Sequence, residues 1–516
     1  MNALVFMRVF IVVGALCAVE GARSALEAQD LVRGKELYDR WCAGCHGETG
    51  AGDGEAAAYM LPRPRDFTRA VYQVRTTANG ELPTDDDLRR VIDEGMPGTA
   101  MPGWKARLRS RDRDAVVAYI KSFSRFFGDD APTPLEFGRA PGETEAGVAE
   151  GARVFQQLEC FKCHGDEGRG DGPSAPTMTD DWGFPIRPAD LSRPWTFNGG
   201  SNVEDIYRRL RTGLDGTPMP SFSDVIEAGI LTEDQLWRVA QYVRSLGTDE
   251  PVIREVIRAA RTDAGLPSGP SDRAWDDVEP FYIPMVGQIV VAPRWFTPTV
   301  DGLWVRAVHD GERLAMQISW SDPSRSPDPA WQEWLERIAG SSMTADGPIE
   351  VMQGGDRLAV QFPVMLTEGM ERPFFLGGDT RRRVYAWRWT SDGDRLEVGR
   401  GSGLTSFAGE PSDEVVHAAI WANGRWRLML SRSLVPRDSA AAPPFTVGEA
   451  IPIAFQAGDG SSGELGARGS VSAWYAIYLG VPAPPTMLVL PVATALVTAV
   501  LGVAIVARAQ RRAPHS

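Results

Sequence analysis

Two pentapeptides, Cys42-Ala43-Gly44-Cys45-His46 and Cys160-Phe161-Lys162-Cys163-His164, each place a histidine directly after a C-x-x-C pair. That spacing lets two thiols add to the two vinyl groups of one haem while the adjacent histidine ligates its iron. Zinc also uses C-x-x-C pairs with a nearby histidine, but a structural zinc needs four protein ligands. The one cysteine outside the two pairs is Cys17, inside an apolar N-terminal run. Each motif therefore calls for a small domain that wraps a porphyrin, and the cofactors expected are two covalently bound haem c groups.

The motifs lie 118 residues apart, and later landmarks keep that offset. Gly52-Asp53-Gly54 maps to Gly170-Asp171-Gly172, and Gly95 to Trp104 maps to Gly213 to Phe222. In this register Met96 pairs with Leu214, which cannot ligate iron, whereas Met101 pairs with Met219, each followed by proline. A methionine is ordinarily a core filler. Two of them at equal distance from two haem motifs are expected as the second axial ligands, giving His46 and Met101 on one iron and His164 and Met219 on the other. Iron held from both sides has no vacant position, so the chain is expected to carry electrons and not to be an enzyme.

The flanks read as helices. Leu37 and Trp41, and Val154 and Leu158, are four apart just before their motifs. Val116, Tyr119, Ile120 and Phe123 form a stripe that closes the first copy. Leu236, Val239, Val243 and Leu246 do the same in the second, behind a Thr232-x-x-Gln235 capping box. This arrangement resembles that of class I c-type cytochromes over residues 30–128 and 146–248. The resemblance implies two all-α domains, each enclosing its own haem.

After a polar linker over 249–277 the periodicity changes from helical to alternating. Leu314, Met316, Ile318 and Trp320 alternate with smaller or polar residues behind the Asp310-Gly311 turn, and Asn423-Gly424 marks a second hairpin. Further strands are expected at 358–364, 384–390, 451–456 and 470–479. Many short strands over about 200 residues make an all-β sandwich the expected fold of 278–481. The runs Val308 to Asp322, Leu358 to Pro363, Trp387 to Trp389 and Ser470 to Tyr475 look like the ethylbenzene dehydrogenase-type haem-binding domain. That family implies a b-type haem and electron transfer from a molybdenum oxidoreductase. A methionine and a lysine that commonly serve as ligands there are replaced by Leu376-Gly377-Gly378 and Arg468-Gly469, and no lysine follows Lys162. A guanidinium has no free lone pair for iron. His309, His417, Met365 and Met370 are the remaining conceivable ligands of a haem b.

The chain ends address it to a membrane. Residues 1–24 read as a secretory signal. Residues 487–507 carry no charge and precede Arg508, Arg511 and Arg512, the pattern of a transmembrane helix with its basic end held in the cytoplasm. A net charge of −14 disfavours nucleic acid as a partner. The expectation is a dihaem cytochrome on the periplasmic face of the inner membrane, exchanging electrons between a redox protein and the respiratory chain. The partner would be a molybdenum oxidoreductase or a terminal oxidase. The competing readings are an electron-transfer subunit of a molybdenum enzyme with a further haem b, and a ligand-sensing module whose haems report redox state.

Overall fold

The computed structural model describes residues 28–128, 131–341, 354–365, 371–404, 406–438, 442–481 and 486–512. The signal segment expected over 1–24 lies outside these residues. Two helical units, a large β-sheet and a C-terminal helix follow one another along the chain.

The first unit begins with helix α1 (28–41), which runs into the haem motif through a one-turn helix, Ala43–His46. Helices α2 (Asp85–Glu94) and α3 (Ser110–Lys121) complete it, α2 starting from a Thr84 capping box. The second unit repeats the plan with α4 (Glu145–Gln157), α5 (Val203–Thr212) and α6 (Glu233–Ser245), the last starting from the expected Thr232–Gln235 capping box. In both units the first and last helices cross at a glycine. A Cβ on Gly34 would lie 2.1 Å from the Ala115 carbonyl oxygen, and one on Gly151 would lie 2.0 Å from that of Arg238. The crossing brings backbone to backbone, which a side chain at either position would prevent. Each unit has its own core: Leu37, Tyr38, Leu88, Val116 and Ile120 in the first, Val154, Phe155, Tyr207, Leu236 and Val239 in the second.

The remainder is one continuous sheet. Its hydrogen-bonded order runs Val415–Ala422, Arg425–Ser433, Arg313–Ser321, Gly302–His309, Val256–Arg261, Tyr475–Leu479, Ala450–Gly458, Arg357–Pro363, Val384–Thr390, Arg395–Gly401 and Phe407–Pro411. Both expected hairpins are present, Gly302–His309 with Arg313–Ser321 and Val415–Ala422 with Arg425–Ser433. The sheet folds over on itself around one core. Trp389, near one end of the order, packs with ring centroids 4.9 Å from Trp426 and 6.0 Å from Trp320, near the other. A helix, α7 (Gln332–Ser341), interrupts the β region and packs Trp334 and Ile338 against Trp331 and Trp295.

The segment 249–277, expected as a linker, departs from that description. Val256–Arg261 forms a central strand, parallel to both Tyr475–Leu479 and Gly302–His309. Ile257 and Ala259 are fully buried there, and Trp275 is buried in a one-turn helix, Arg273–Trp275. The strand turns Ile257 and Ala259 into the core and Val256, Arg258 and Ala260 outward. With Arg254, Glu255, Arg258 and Arg261 around Ile257 and Ala259, the local pattern reads as polar, and only pairing on both edges makes it a strand.

Helix α8 (Thr486–Arg512) contains an 18-residue stretch, Pro491–Arg508, long and apolar enough to cross a membrane. None of that stretch is buried against the rest of the molecule.

Candidate haem sites

The haem motif sits at the same place in each helical unit. Cys42, Cys45 and His46 follow α1, and Cys160, Cys163 and His164 follow α4. No disulfide joins these cysteines. Burial pushes the thiols of Cys42 and Cys160 up to about 12. His46 Nδ1 is 3.0 Å from the Arg65 carbonyl oxygen, and His164 Nδ1 is 3.0 Å from that of Ala189. A ring nitrogen facing a carbonyl carries the proton, which leaves Nε2 with the lone pair that iron needs; metal-binding histidines are oriented in this way. Burial also holds both imidazoles below their ordinary pKa, favouring the neutral, ligating form.

The two methionine loops are superposable in their hydrogen bonds. Met96 N donates to Met101 O (3.0 Å) and Leu214 N to Met219 O (3.1 Å). Thr99 Oγ1 donates to Met96 O and Thr217 Oγ1 to Leu214 O, both at 2.7 Å. Met101 packs against the first core and Met219 against the second.

In the first unit these groups surround a cavity of about 520 Å³ that Cys42, Cys45, His46 and Met101 all line. The volume and apolar lining suit a porphyrin, and one histidine ring and three methionine thioethers are among its walls. Met60 and Met96 also line it, so the repeat register, not position alone, singles out Met101.

The first cavity is not enclosed by its own unit, contrary to the expectation that each copy would surround its own haem. Asp180, Trp182, Phe184 and Ile186 of the second unit form part of its wall. They belong to an insertion visible in the histidine bonds: the carbonyl partner lies 19 residues beyond His46 but 25 beyond His164, so the second copy has six extra residues in between. Trp182 stacks over the Arg65 guanidinium, 4.7 Å from carbon to ring centroid. Trp182 also lies against Gly216 of the Met219 loop, where φ is +78° and a Cβ would lie 2.5 Å from the indole. Burial is the main influence on Arg65 and lowers its pKa, opposed by Asp180. A guanidinium still remains charged.

The units are locked together in the opposite sense as well. Arg75, completely buried, donates to Thr212 O and Asp215 Oδ1, each at 2.8 Å, so the first unit grips the methionine loop of the second. Arg90 pairs with Asp205 at 3.1 Å. The sheet holds the pair through Arg193–Asp301 (2.5 Å), Arg187–Asp459 (2.6 Å) and a bond from Phe296 N to Tyr59 O (3.0 Å). None of these contacts has a local sequence signal.

Three of the four conceivable haem b ligands lie among the described residues. His309 is buried with Nε2 2.9 Å from the Gly480 carbonyl oxygen. His417 Nε2 faces the Asp394 carbonyl oxygen at 3.0 Å, and Met365 is 64% exposed. Met370 lies outside the described residues.

Both helical units resemble known proteins. Residues 29–120 match the family described as cytochrome c oxidase, cbb3-type, subunit III, and residues 148–247 match the family described as cytochrome c. A Haloferax mediterranei protein provisionally named a respiratory nitrate reductase heme subunit is 29% identical over 218 residues, 42% of this chain and 70% of that protein. The cbb3-type cytochrome c oxidase subunit CcoP of Rhodobacter capsulatus is 27% identical over 221 residues, 42% of this chain. The match spans 61% of that subunit's length. Cytochrome c55X of Paracoccus denitrificans is 33% identical over 103 residues, 20% of this chain and 81% of that protein.

Proposed function

We propose that this chain, which through its two helical units belongs to the c-type cytochromes, is a dihaem electron-transfer subunit tethered to a membrane and docked to a larger redox complex. The observation that carries the reading is the duplicated site: two C-x-x-C-H motifs, two histidines pinned through Nδ1 to a backbone carbonyl, and two methionine loops with the same bonds. Cys42, Cys45, Cys160 and Cys163 would hold the haems covalently. His46 with Met101, and His164 with Met219, would be the axial ligands. Haem held on both faces passes single electrons and offers no open position for peroxide or dioxygen. The chain's own task is then to position, insulate and tune. The carbonyls of Arg65 and Ala189 orient the imidazoles, Trp182 and Phe184 keep water from the first cavity, and the Arg75–Asp215 pair fixes one unit against the other.

The folded sheet, a β-sandwich in this reading, presents the cytochrome pair to the partner. The relatives' names support a partner in a respiratory oxidoreductase or a terminal oxidase. Helix α8, with Arg508, Arg511 and Arg512 on the cytoplasmic side, would attach the chain so that both haems face the periplasm. The missing methionine and lysine of the ethylbenzene dehydrogenase-type family, replaced by Leu376-Gly377-Gly378 and Arg468-Gly469, favour a protein with two haems over one with a third.

A pyridine haemochrome assay on the purified full chain is expected to give two haem c groups per polypeptide, with little haem extracted by acid–acetone. A single haem c, or a full equivalent of extractable haem, would overturn the dihaem reading.

A further inference from the structure

Away from both haem sites, three aspartates from distant parts of the sheet meet at one point. Asp322 follows strand Arg313–Ser321, Asp356 precedes strand Arg357–Pro363 and Asp459 follows strand Ala450–Gly458. One oxygen from each lies within 4.8 Å of the others, and all three residues are completely buried. Asp356 accepts from Ser326 N (2.7 Å), Gly460 N (3.0 Å) and Trp426 Nε1 (3.0 Å). Asp459 accepts from Ser461 N (2.7 Å) and from Arg187 of the second helical unit. Asp322 differs from both. Its Oδ1 accepts from Ser324 N (3.1 Å), but its Oδ2 is buried and has no hydrogen-bond partner among the described residues.

A buried, unpartnered carboxylate oxygen on a residue that meets two other carboxylates is costly unless something positive meets it. Glu464, also completely buried, adds a fourth carboxylate, bonded to the backbone of Thr299 and Asp459. The guanidinium of Arg187 faces Asp459, and that of Arg357 acts on Glu464. Four carboxylates against two guanidinium groups leave two negative charges, which one divalent cation would neutralise.

We infer that Asp322, Asp356 and Asp459 form a structural binding site for a hard divalent cation, and that the cation is calcium. The donors are all oxygens, with no imidazole or thiolate, which selects the calcium and magnesium class over zinc or copper. The three oxygens lie within 4.8 Å of one another without forming a closed cage, which suits calcium, flexible in geometry at about 2.3–2.6 Å, better than magnesium, which demands a near-octahedral shell at about 2.0–2.1 Å. The ion would pin strand ends from opposite halves of the folded sheet, beside the loop on which Arg187 docks.

The test uses the full-length protein with its haems, treated with chelator and titrated with calcium chloride or magnesium chloride by calorimetry. Thermal unfolding with and without each ion is followed in parallel. One calcium per chain and a rise of several degrees in Tm at millimolar calcium are expected, with a weaker response to magnesium. Asp322→Asn is expected to weaken calcium binding at least tenfold while haem content is unchanged and the metal-free Tm is unchanged or higher, because the substitution removes an unmet buried charge. Absence of calcium binding by the unmodified protein, stronger binding of magnesium than of calcium, or unaltered calcium affinity in Asp322→Asn would each overturn the assignment. The wild-type titration decides the matter even if the variant fails to fold.

Discussion

Among individual residues, those that distinguish the two sites matter most. The carbonyl that orients the histidine belongs to Arg65 in one copy and Ala189 in the other, so the first site has a guanidinium in its wall where the second copy has an alanine at the matching position. Positive charge disfavours the ferric state, which carries one more charge than the ferrous state. Arg65→Ala is therefore expected to lower the midpoint potential of the first haem. The shift should be on the order of 1 kcal/mol, or about 40 mV for one electron, and the second haem should be little affected. Spectroelectrochemical titration checks this; an equal shift at both haems would remove Arg65 from the account. Methionine is tested separately. Met101→Ala and Met219→Ala are each expected to abolish half of the red absorption band of methionine-ligated ferric haem and to lower one potential, whereas Met96→Ala should do neither. Loss of the band in Met96→Ala with retention in Met101→Ala would show that the repeat register is misaligned.

Elements meet in these cytochrome units at points of close backbone approach. Crossing of the first and last helices at Gly34 and Gly151 leaves no space for a Cβ, and the atoms in the way are carbonyl oxygens, which cannot rotate aside. Gly151→Val should force α4 and α6 apart and cost about 1–3 kcal/mol or more. Thermal unfolding of the second unit, followed by the loss of its haem absorption, measures this; an unchanged Tm would mean that the crossing is more compliant than its contacts imply. The inserted segment that carries Trp182 acts between elements. Trp182→Ala is expected to admit water to the first cavity and leave the second unit's stability nearly unchanged, because the indole contributes to the wall of its neighbour more than to its own core.

At the scale of the whole molecule, the cytochrome pair and the sheet are joined by buried charge while the last helix stands apart. Arg75 has no exposed surface, so Asp215→Asn would weaken a partner on which a buried guanidinium depends, a change worth about 3–5 kcal/mol when such a pair is broken outright. The Pro491–Arg508 stretch of helix α8, by contrast, is unburied. A chain truncated after Val481 is thus expected to be exported, to retain both haems and to become soluble. Haem measured in the soluble periplasmic fraction is the check, and loss of either haem would make the helix part of the fold.

What could be read from the sequence was local. Haem attachment needs five consecutive residues, a capping box four, a hairpin turn two, and the amphipathic stripes repeat within a few turns; each is specified by neighbours in the chain. The membrane-length apolar run is likewise a property of composition alone. Val256–Arg261 escaped because its burial comes from strands about 50 and 220 residues away, not from its own pattern. The wall that Trp182 lends to the first cavity, the grip of Arg75 on Asp215 and the meeting of Asp322, Asp356 and Asp459 are of the same kind. Charged and aromatic side chains scattered singly along a sequence look like surface. Only folding, by removing water from around them and bringing distant ones within hydrogen-bond or Coulomb range, turns them into an interface, an insulated cavity and a candidate ion site.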